Sequence, residues 1–127
     1  KSHVSYVDYV PHKEVLKFQH AAQVLLLAVN NVPSAKSLVT GKIFEYLQSK
    51  RPVIGIGPVD GDLAGILNDT GAGHVIDFED ISSLKELIKS YYSLFKKGQL
   101  RGESRNIERY HRKHLSWELA EILKSLE

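Results

Sequence analysis

Four short segments of the chain place apolar residues on both faces of an extended backbone. They are "VSYVDYV" at 4–10, "VLLLAV" at 24–29, "PVIGIG" at 52–57 and "HVID" at 74–77. Strands that are covered on both sides by helices have this pattern, whereas a surface strand alternates apolar and polar residues. The four segments therefore predict strands of a buried parallel sheet.

Between and after these segments, apolar residues recur at the spacing of an amphipathic helix. The pattern predicts helices that begin at Pro11, at about Thr40 and after the N-capping Asp60, and a long helix over 84–95. Beyond a glycine-containing break at 98–102, two further helices are predicted. The apolar residues that we expect the helices to bury are Val15, Phe18, Ala22, Ile43, Phe44, Leu47, Leu63, Ile66, Leu67, Trp117, Leu119, Ile122, Leu123 and Leu126.

This alternation of strands and helices predicts an α/β domain. We expect a Rossmann-like parallel sheet of about four strands, flanked by helices. A chain of 127 residues has the size of one domain, so a single domain is predicted over 1–127, with C-terminal helices over 98–127.

Composition narrows the classes of function. With 43% apolar and 25% charged residues the chain is typical of a globular protein, and its longest apolar run is too short to cross a bilayer. The absence of cysteine excludes disulfides and thiolate metal sites, and favours the cytoplasm. His111 and His114 share a helix face, but no third ligand is near in sequence, so no metal site is predicted.

The charge distribution is uneven, although the net charge is only +2. Seven Lys or Arg but only two Glu lie between Lys96 and His114. Binders of single-stranded nucleic acid interleave such residues with an aromatic platform, which this segment lacks. We therefore predict a solvated basic helix face and no nucleic-acid partner.

The start of the second predicted helix, Thr40-Gly41-Lys42, is a candidate anion site. The backbone N–H groups of Gly41 and Lys42, the helix dipole and the Lys42 ammonium group all favour an anion there. Glu45 lies one helical turn further on the same side, and its carboxylate can accept hydrogen bonds from neighbouring sugar hydroxyls. A phosphate beside a ribose indicates a nucleotide. The alternative is an ordinary helix start with a solvated lysine.

The glycine run that follows the third predicted strand is a second candidate. Gly55 to Gly61 resembles a dinucleotide fingerprint with one residue too many. Pro58 removes an N–H group that phosphates would need, and Asp60 and Asp62 place negative charge at the helix start. A tight turn is the favoured interpretation, and a nicotinamide cofactor site remains the weaker alternative.

The segments "KIFEYLQSKRPVIGIGP" at 42–58 and "GDLAGILNDTGAG" at 61–73 together resemble a known family. They are similar to the nucleotide-sugar-binding C-terminal domain of GT-B glycosyltransferases, in particular the retaining family of bacterial polysaccharide synthesis. The resemblance extends back through "VSYVDYVPHKEVL" and "AAQVLLLAV" and forward to "HLSWELAEIL" at 114–123, so it covers nearly the whole chain.

The resemblance implies a UDP- or GDP-sugar as substrate, with no cofactor. It assigns the donor diphosphate to Gly41 and Lys42 and the ribose to Glu45. The loop before the helix would cover the transferred sugar and the first predicted strand would end near the base, which makes the remaining donor contacts Asn30, Asn31, Ser37, Thr40, Tyr9 and Val10.

The sequence departs from the family in two ways. Many relatives carry a second glutamate eight residues before the ribose-binding one, and Ser37 stands there instead, so no catalytic residue is assigned. The family domain also begins with two further strands whose loops supply basic residues to the diphosphate. We therefore expect this chain to be the C-terminal half of such an enzyme, inactive alone, with the acceptor-binding domain elsewhere in the parent protein.

If the chain is the C-terminal half of such an enzyme, its partners and its cellular location can also be predicted. A sheet that lacks its first strands exposes an apolar edge, which favours a homodimer. The parent enzyme is expected to act in the cytoplasm, peripherally at the inner face of the membrane, on a glycan or lipid-linked acceptor. A non-catalytic nucleotide-binding module is the alternative function.

Overall fold

The computed structural model describes residues 3–110 and 112–126, and for 112–115 the backbone alone. Three parallel strands form one sheet in the order β1 (Leu25–Ala28), β2 (Val53–Ile56), β3 (Gly73–Ile76). Helices precede, connect and follow the strands: α1 (His12–Ala21), α2 (Lys42–Ser49), α3 (Asp62–Thr70), α4 (Ile81–Lys96) and α5 (Arg112–Ser125), with 3₁₀ turns at Ala35–Ser37 and Ile107–Tyr110. The predicted α/β class and parallel sheet are confirmed.

The core lies on one face of the sheet, beneath α2 and α3. Alternate residues of β1 and β2 point to this face, among them Leu25, Leu27 and Val53. They pack with the apolar stripes of the two helices, whose most buried members are Ile43, Leu47, Leu63 and Leu67. Burying a side chain of this size contributes about 1.5–3 kcal/mol relative to exposing it. The core therefore fixes α2 at one edge of the sheet.

Two helices end at glycines, the second of them within the predicted break at 98–102. Gly71 follows α3 with φ of 68° and Gly98 follows α4 with φ of 69°, a region that side chains with a Cβ rarely adopt. After α4, the N–H groups of Gly98 and Gln99 donate to the carbonyls of Phe95 and Leu94 at 3.0 and 2.8 Å. These bonds satisfy the last free carbonyls of the helix and stop it.

The predicted first strand is wrong. Residues 4–10 form no strand, and their side chains are largely exposed, Tyr9 at 94%. The sheet has three strands among the described residues, not about four. A strand needs a neighbour to pair its backbone groups, and no described strand runs beside this segment. The apolar pattern of residues 4–10 indicates which side chains a strand would bury, but it does not show whether a second strand is present to pair with.

Three burial predictions are also wrong. β1 was expected to be covered on both faces, but its residues alternate between buried and exposed, and Leu26 is 61% exposed. The apolar residues of the C-terminal helix are exposed as well: Trp117, Leu119, Ile122, Leu123 and Leu126. Phe18 of α1 is likewise half exposed. The helical spacing is correct in each helix, but spacing alone does not supply the second surface that burial requires.

No helix in the described ranges, 3–110 and 112–126, is long and apolar enough to cross a membrane.

We predict that Asp80→Ala frays the start of α4. The Asp80 carboxylate accepts hydrogen bonds from the Ser83 hydroxyl at 2.7 Å and from the Ser83 N–H at 3.1 Å, which makes it the N-cap of the helix. Removing it leaves that N–H without a side-chain partner, so amide hydrogen exchange at Ser83 is expected to accelerate. Asp80→Asn is the control, because asparagine caps helices about as well as aspartate.

The same contact predicts a pH dependence. The hydrogen bonds from Ser83 hold the pKa of Asp80 below its ordinary value, so folding favours the carboxylate form. Its stabilising contribution is complete above the unfolded-state pKa of about 3.9 and is lost as pH falls through the lowered folded-state pKa. The protection factor of the Ser83 amide, which is the intrinsic exchange rate at each pH divided by the observed rate, should therefore fall at acid pH in the unmodified chain. An equal fall of the protection factor in Asp80→Asn would contradict the assignment.

Candidate functional site

The candidate site lies where β1 ends and α2 begins. The carboxyl end of a strand in an open parallel sheet is the usual position of ligands in this class of fold. A cavity of about 140 Å³ opens there, lined by the end of β1 and by the residues that lead into α2: Ala28, Val29, Asn30, Leu38, Val39 and Thr40. Two of the predicted donor contacts, Asn30 and Thr40, thus line one cavity.

The start of α2 carries unused hydrogen-bond donors. No side chain caps it, and the first turn bonds run from Ile43 N–H to Thr40 O at 3.2 Å and from Phe44 N–H to Gly41 O at 3.3 Å. Within 3–110 and 112–126 the N–H groups of Gly41 and Lys42 have no partner. These donors and the helix dipole favour an anion at this point.

The space next to Gly41 and the hydroxyl of Thr40 add to this arrangement. A Cβ atom placed on Gly41 would meet no atom within 4 Å, so the backbone is open to an approaching group. The Thr40 Oγ1 atom is shielded from solvent and has no hydrogen-bond partner in the described part of the chain. A shielded hydroxyl without a partner costs free energy, which a ligand that bonds to it would recover. The exposed Lys42 side chain forms no ion pair within that part.

Glu45 is held by α1 rather than left free. Its Oε2 lies 3.5 Å from His12 Nε2, a contact that is ionic only when His12 is protonated. Its Oε1 accepts a hydrogen bond from Gln19 Nε2 at 3.3 Å. The Glu45 side chain remains about one-third exposed, so further lone pairs of the carboxylate stay within reach of a ligand. The structure thus places Glu45 one turn from Gly41, as the sequence predicts, and adds two partners from another helix.

The sequence did not identify these two partners as site residues. A lone histidine next to Pro11 and a single glutamine in a helix carry no motif that marks them as ligand-binding residues. Gln19 does carry a signal: it stands four residues after Val15, on the apolar stripe of α1, and it is only 8% exposed. A polar residue at an apolar position needs a partner, and Glu45 is that partner for its amide nitrogen.

The other predicted contacts are not drawn into the cavity. Asn31 is exposed, and the Ser37 hydroxyl donates to the carbonyl of Ser34 at 3.1 Å. Tyr9 extends into solvent and Val10 is half-buried. The expected role of the last two near a nucleotide base depended on a strand in 4–10, which does not form, so the described positions of Tyr9 and Val10 give that role no geometric support.

The glycines of the second candidate site serve packing. A Cβ on Gly55 would press against Val75 at 3.0 Å, and one on Gly57 would lie 2.6 Å from Val29. At Gly61 it would meet the backbone of Lys36 at 3.1 Å. Close packing within the protein therefore accounts for these glycines without a pyrophosphate. The predicted tight turn agrees with this packing.

An ion pair fixes that turn against the loop after β1. Lys36 Nζ lies 2.8 Å from Asp60 Oδ2. The hydrogen bond with Asp60 raises the pKa of Lys36, and the same bond lowers the pKa of Asp60. Lys36 therefore neutralises an acidic residue of the turn, and it is not free to bind a phosphate as Lys42 is.

No group of three His, Asp or Glu side chains that could hold a metal occurs among the residues the structure describes. His111 and the side chain of His114 lie outside them. Comparison with protein-family models, with curated proteins and with solved structures finds no match for the chain.

Proposed function

We propose that the chain is the donor-binding part of a glycosyltransferase that uses a nucleoside-diphosphate sugar. The observation that carries the proposal is the uncapped start of α2, where the free N–H groups of Gly41 and Lys42 stand one turn from the Glu45 carboxylate. Donors for a diphosphate and acceptors for a ribose diol are thereby adjacent. The resemblance of "KIFEYL" and "RPVI" to GT-B enzymes supports the same assignment.

Binding and chemistry are separate parts of this proposal. The donor diphosphate would lie at the start of α2, and the sugar would extend towards the cavity lined by Thr40 and Asn30. Transfer with retention is assisted when positive groups stabilise the departing diphosphate, and Lys42 is the cation that this chain contributes. Ser37, whose hydroxyl is bonded to Ser34, offers no acid or base to the sugar.

The absence of a carboxylate at Ser37 favours a second candidate, a nucleotide-binding module without transferase activity. Both candidates use the same binding residues. Sugar transfer by the longer parent protein with a lipid-linked or glycan acceptor separates them, because the module would bind the donor without consuming it. In the transferase proposal the parent works in the cytoplasm, at the inner face of the membrane.

The binding site is tested by following backbone amide resonances while UDP, GDP or NADH is added in turn. Saturable shifts at Gly41 and Lys42 with one of the two diphosphates are expected, because their N–H groups would bond to phosphate. Glu45→Gln should weaken that binding about tenfold, the effect of one charge-assisted hydrogen bond of about 1.5 kcal/mol.

Two controls make the test specific. Glu86→Gln removes an exposed carboxylate of α4, far from α2 in the chain, and should leave the affinity unchanged. Shifts centred on Gly55 to Gly61 with NADH would instead favour the nicotinamide alternative. No saturable response to UDP or GDP, or equal affinity in Glu45→Gln, would contradict the proposed site.

A further inference from the structure

We propose that two exposed apolar surfaces of this chain join two copies into a symmetric dimer, α5 of each copy packing into a groove beside α4 of the other. The α4 groove has a volume of about 320 Å³ and an almost entirely apolar lining. The α5 stripe consists of Leu119, Ile122 and Leu123 of α5 and of Leu126 directly after it, all more than half exposed.

The α4 groove lies on the face of the sheet opposite the core. Ile54 points to this face, because its neighbour Val53 points to the core and strand residues alternate. α4 borders the groove with Ile88, Tyr92 and Phe95, each about half exposed. These residues follow one another at the four- and three-residue spacing of a single helix face. A second helix laid along α4 would cover them.

The α5 stripe matches this groove in length and pattern. Its residues recur at positions i, i+3, i+4 and i+7, and those of α4 at i, i+4 and i+7. Each set spans two helical turns, about 10.5 Å at the rise of an α-helix. Two helical faces of equal length and apolar character can pack side by side by setting the ridges of one into the grooves of the other.

The accessible surface of the chain exceeds that of an average compact monomer, which favours such a contact. It amounts to 9379 Å² for 14.3 kDa, whereas a compact monomer of that mass exposes about 6,800 Å². The difference, about 2,600 Å², is roughly three times the 800 Å² that each partner buries in a standard interface. Residues 3–10 contribute to the difference, but most of the large exposed side chains belong to other segments, α4 and α5 among them.

The position at which α5 begins favours packing of α5 against a second copy over packing into the α4 groove of its own copy. The 3₁₀ turn before α5 is attached to the core side of the sheet: the Tyr110 hydroxyl donates to Asp69 at 2.7 Å, and Arg109 pairs with Asp69 at 3.2 Å. Ile107 and Tyr110 also pack on the core. One residue separates this turn from α5. α5 therefore starts on the face opposite the α4 groove, and reaching its own groove would break the contacts with Asp69.

Two copies related by a twofold axis avoid this conflict. Each α5 then lies in the other copy's α4 groove, so the same contact is made twice, as closed dimers require. The proposal differs from pairing of β1 edges, because the Tyr46 hydroxyl already donates to the carbonyl of Leu26 at 3.3 Å and partly occupies that edge.

Light scattering of the intact chain over a hundredfold concentration range tests the proposal. A mass of two chains that dissociates on dilution is expected. Ile122→Glu on the α5 stripe and Phe95→Lys in the α4 groove should each give monomers, because each buries a charge without a partner. Both residues are exposed in one copy, so circular dichroism should show both variants folded.

Mixing the two monomeric variants is the decisive step. In a mixed pair, one contact joins the unmodified α5 of one copy to the unmodified α4 groove of the other. The second contact brings the two substituted positions together, and their opposite charges attract each other. A heterodimer should therefore form. Val59→Glu, at an exposed apolar residue outside both surfaces, is the control and should stay dimeric. A monomer at every concentration, a dimer that survives either substitution, or no heterodimer on mixing would overturn the proposal. Monomers that bind lipid vesicles through α5 would overturn it as well.

Discussion

Gly73→Ala is expected to prevent the chain from folding stably. Gly73 begins β3 and pairs with Val53 of β2, and a Cβ atom there would overlap the carbonyl oxygen of Val53. Since that atom is backbone in the central strand, relief requires the two strands to separate. We expect a loss of about 3 kcal/mol or more, the upper end of the cost of overpacking, against a total stability of about 5–15 kcal/mol. Urea unfolding measures it.

Gly65→Ala is the matched control for this substitution. Gly65 lies within α3, and a Cβ atom there would meet nothing within 4 Å. Alanine is the better helix former, so the variant should gain about 0.5–1 kcal/mol. The same chemical change thus has opposite effects at two glycines eight residues apart. A Gly73→Ala variant as stable as Gly65→Ala would show that β2 and β3 do not pair in this register.

Ile43→Ala should cost about 2–5 kcal/mol, the range for truncating a buried branched side chain. Ile43 is fully buried, at 0% exposure, and packs in the core under α2. The cavity would lie beneath the turn that presents Gly41 and Lys42. We therefore expect a lower free energy of unfolding in urea and, under conditions where the variant stays folded, weaker binding of the nucleoside diphosphate.

Lys42→Ala, at the adjacent residue, should weaken diphosphate binding without changing the stability of the chain. Lys42 is exposed and forms no ion pair in the described part of the chain, so stability should change by less than about 0.5 kcal/mol. The diphosphate affinity should fall, because the ammonium group would be lost from the start of the helix. If Lys42→Ala destabilised the chain as much as Ile43→Ala, the two faces of α2 would not have the separate roles assigned to them.

Periodicity predicted which segments are helices and where three of the strands lie, because helix and strand spacing is a local property of the sequence. α2 and β2 were placed almost to the residue, and the glycine-containing break at 98–102 marked the end of α4. Burial was predicted less well. Leu26 and the α5 stripe have the pattern of buried residues but are exposed, since burial depends on a second surface that local spacing does not specify.

Part of the candidate site was also predictable. The order Thr40-Gly41-Lys42 and the position of Glu45 one turn later followed from helix geometry alone. The contact of Glu45 with His12 and Gln19 could not be predicted, because α1 is separated from α2 by a strand and a long loop. The packing role of Gly55 and Gly57 likewise depends on Val75 of β3 and on Val29, which directly follows β1.

The contacts of Glu45 with Gln19 and His12 of α1 affect the free energy of ligand binding at this carboxylate. A ribose hydroxyl can use a lone pair of this carboxylate that Gln19 and His12 leave free, but a hydroxyl that takes the position of either partner exchanges one contact for another. The measured affinity would then be the difference between the bonds that the ribose gains and those that α1 gives up. Occupancy of the site and the attachment of α1 to α2 would be coupled, and by reciprocity a change that loosens α1 would strengthen binding.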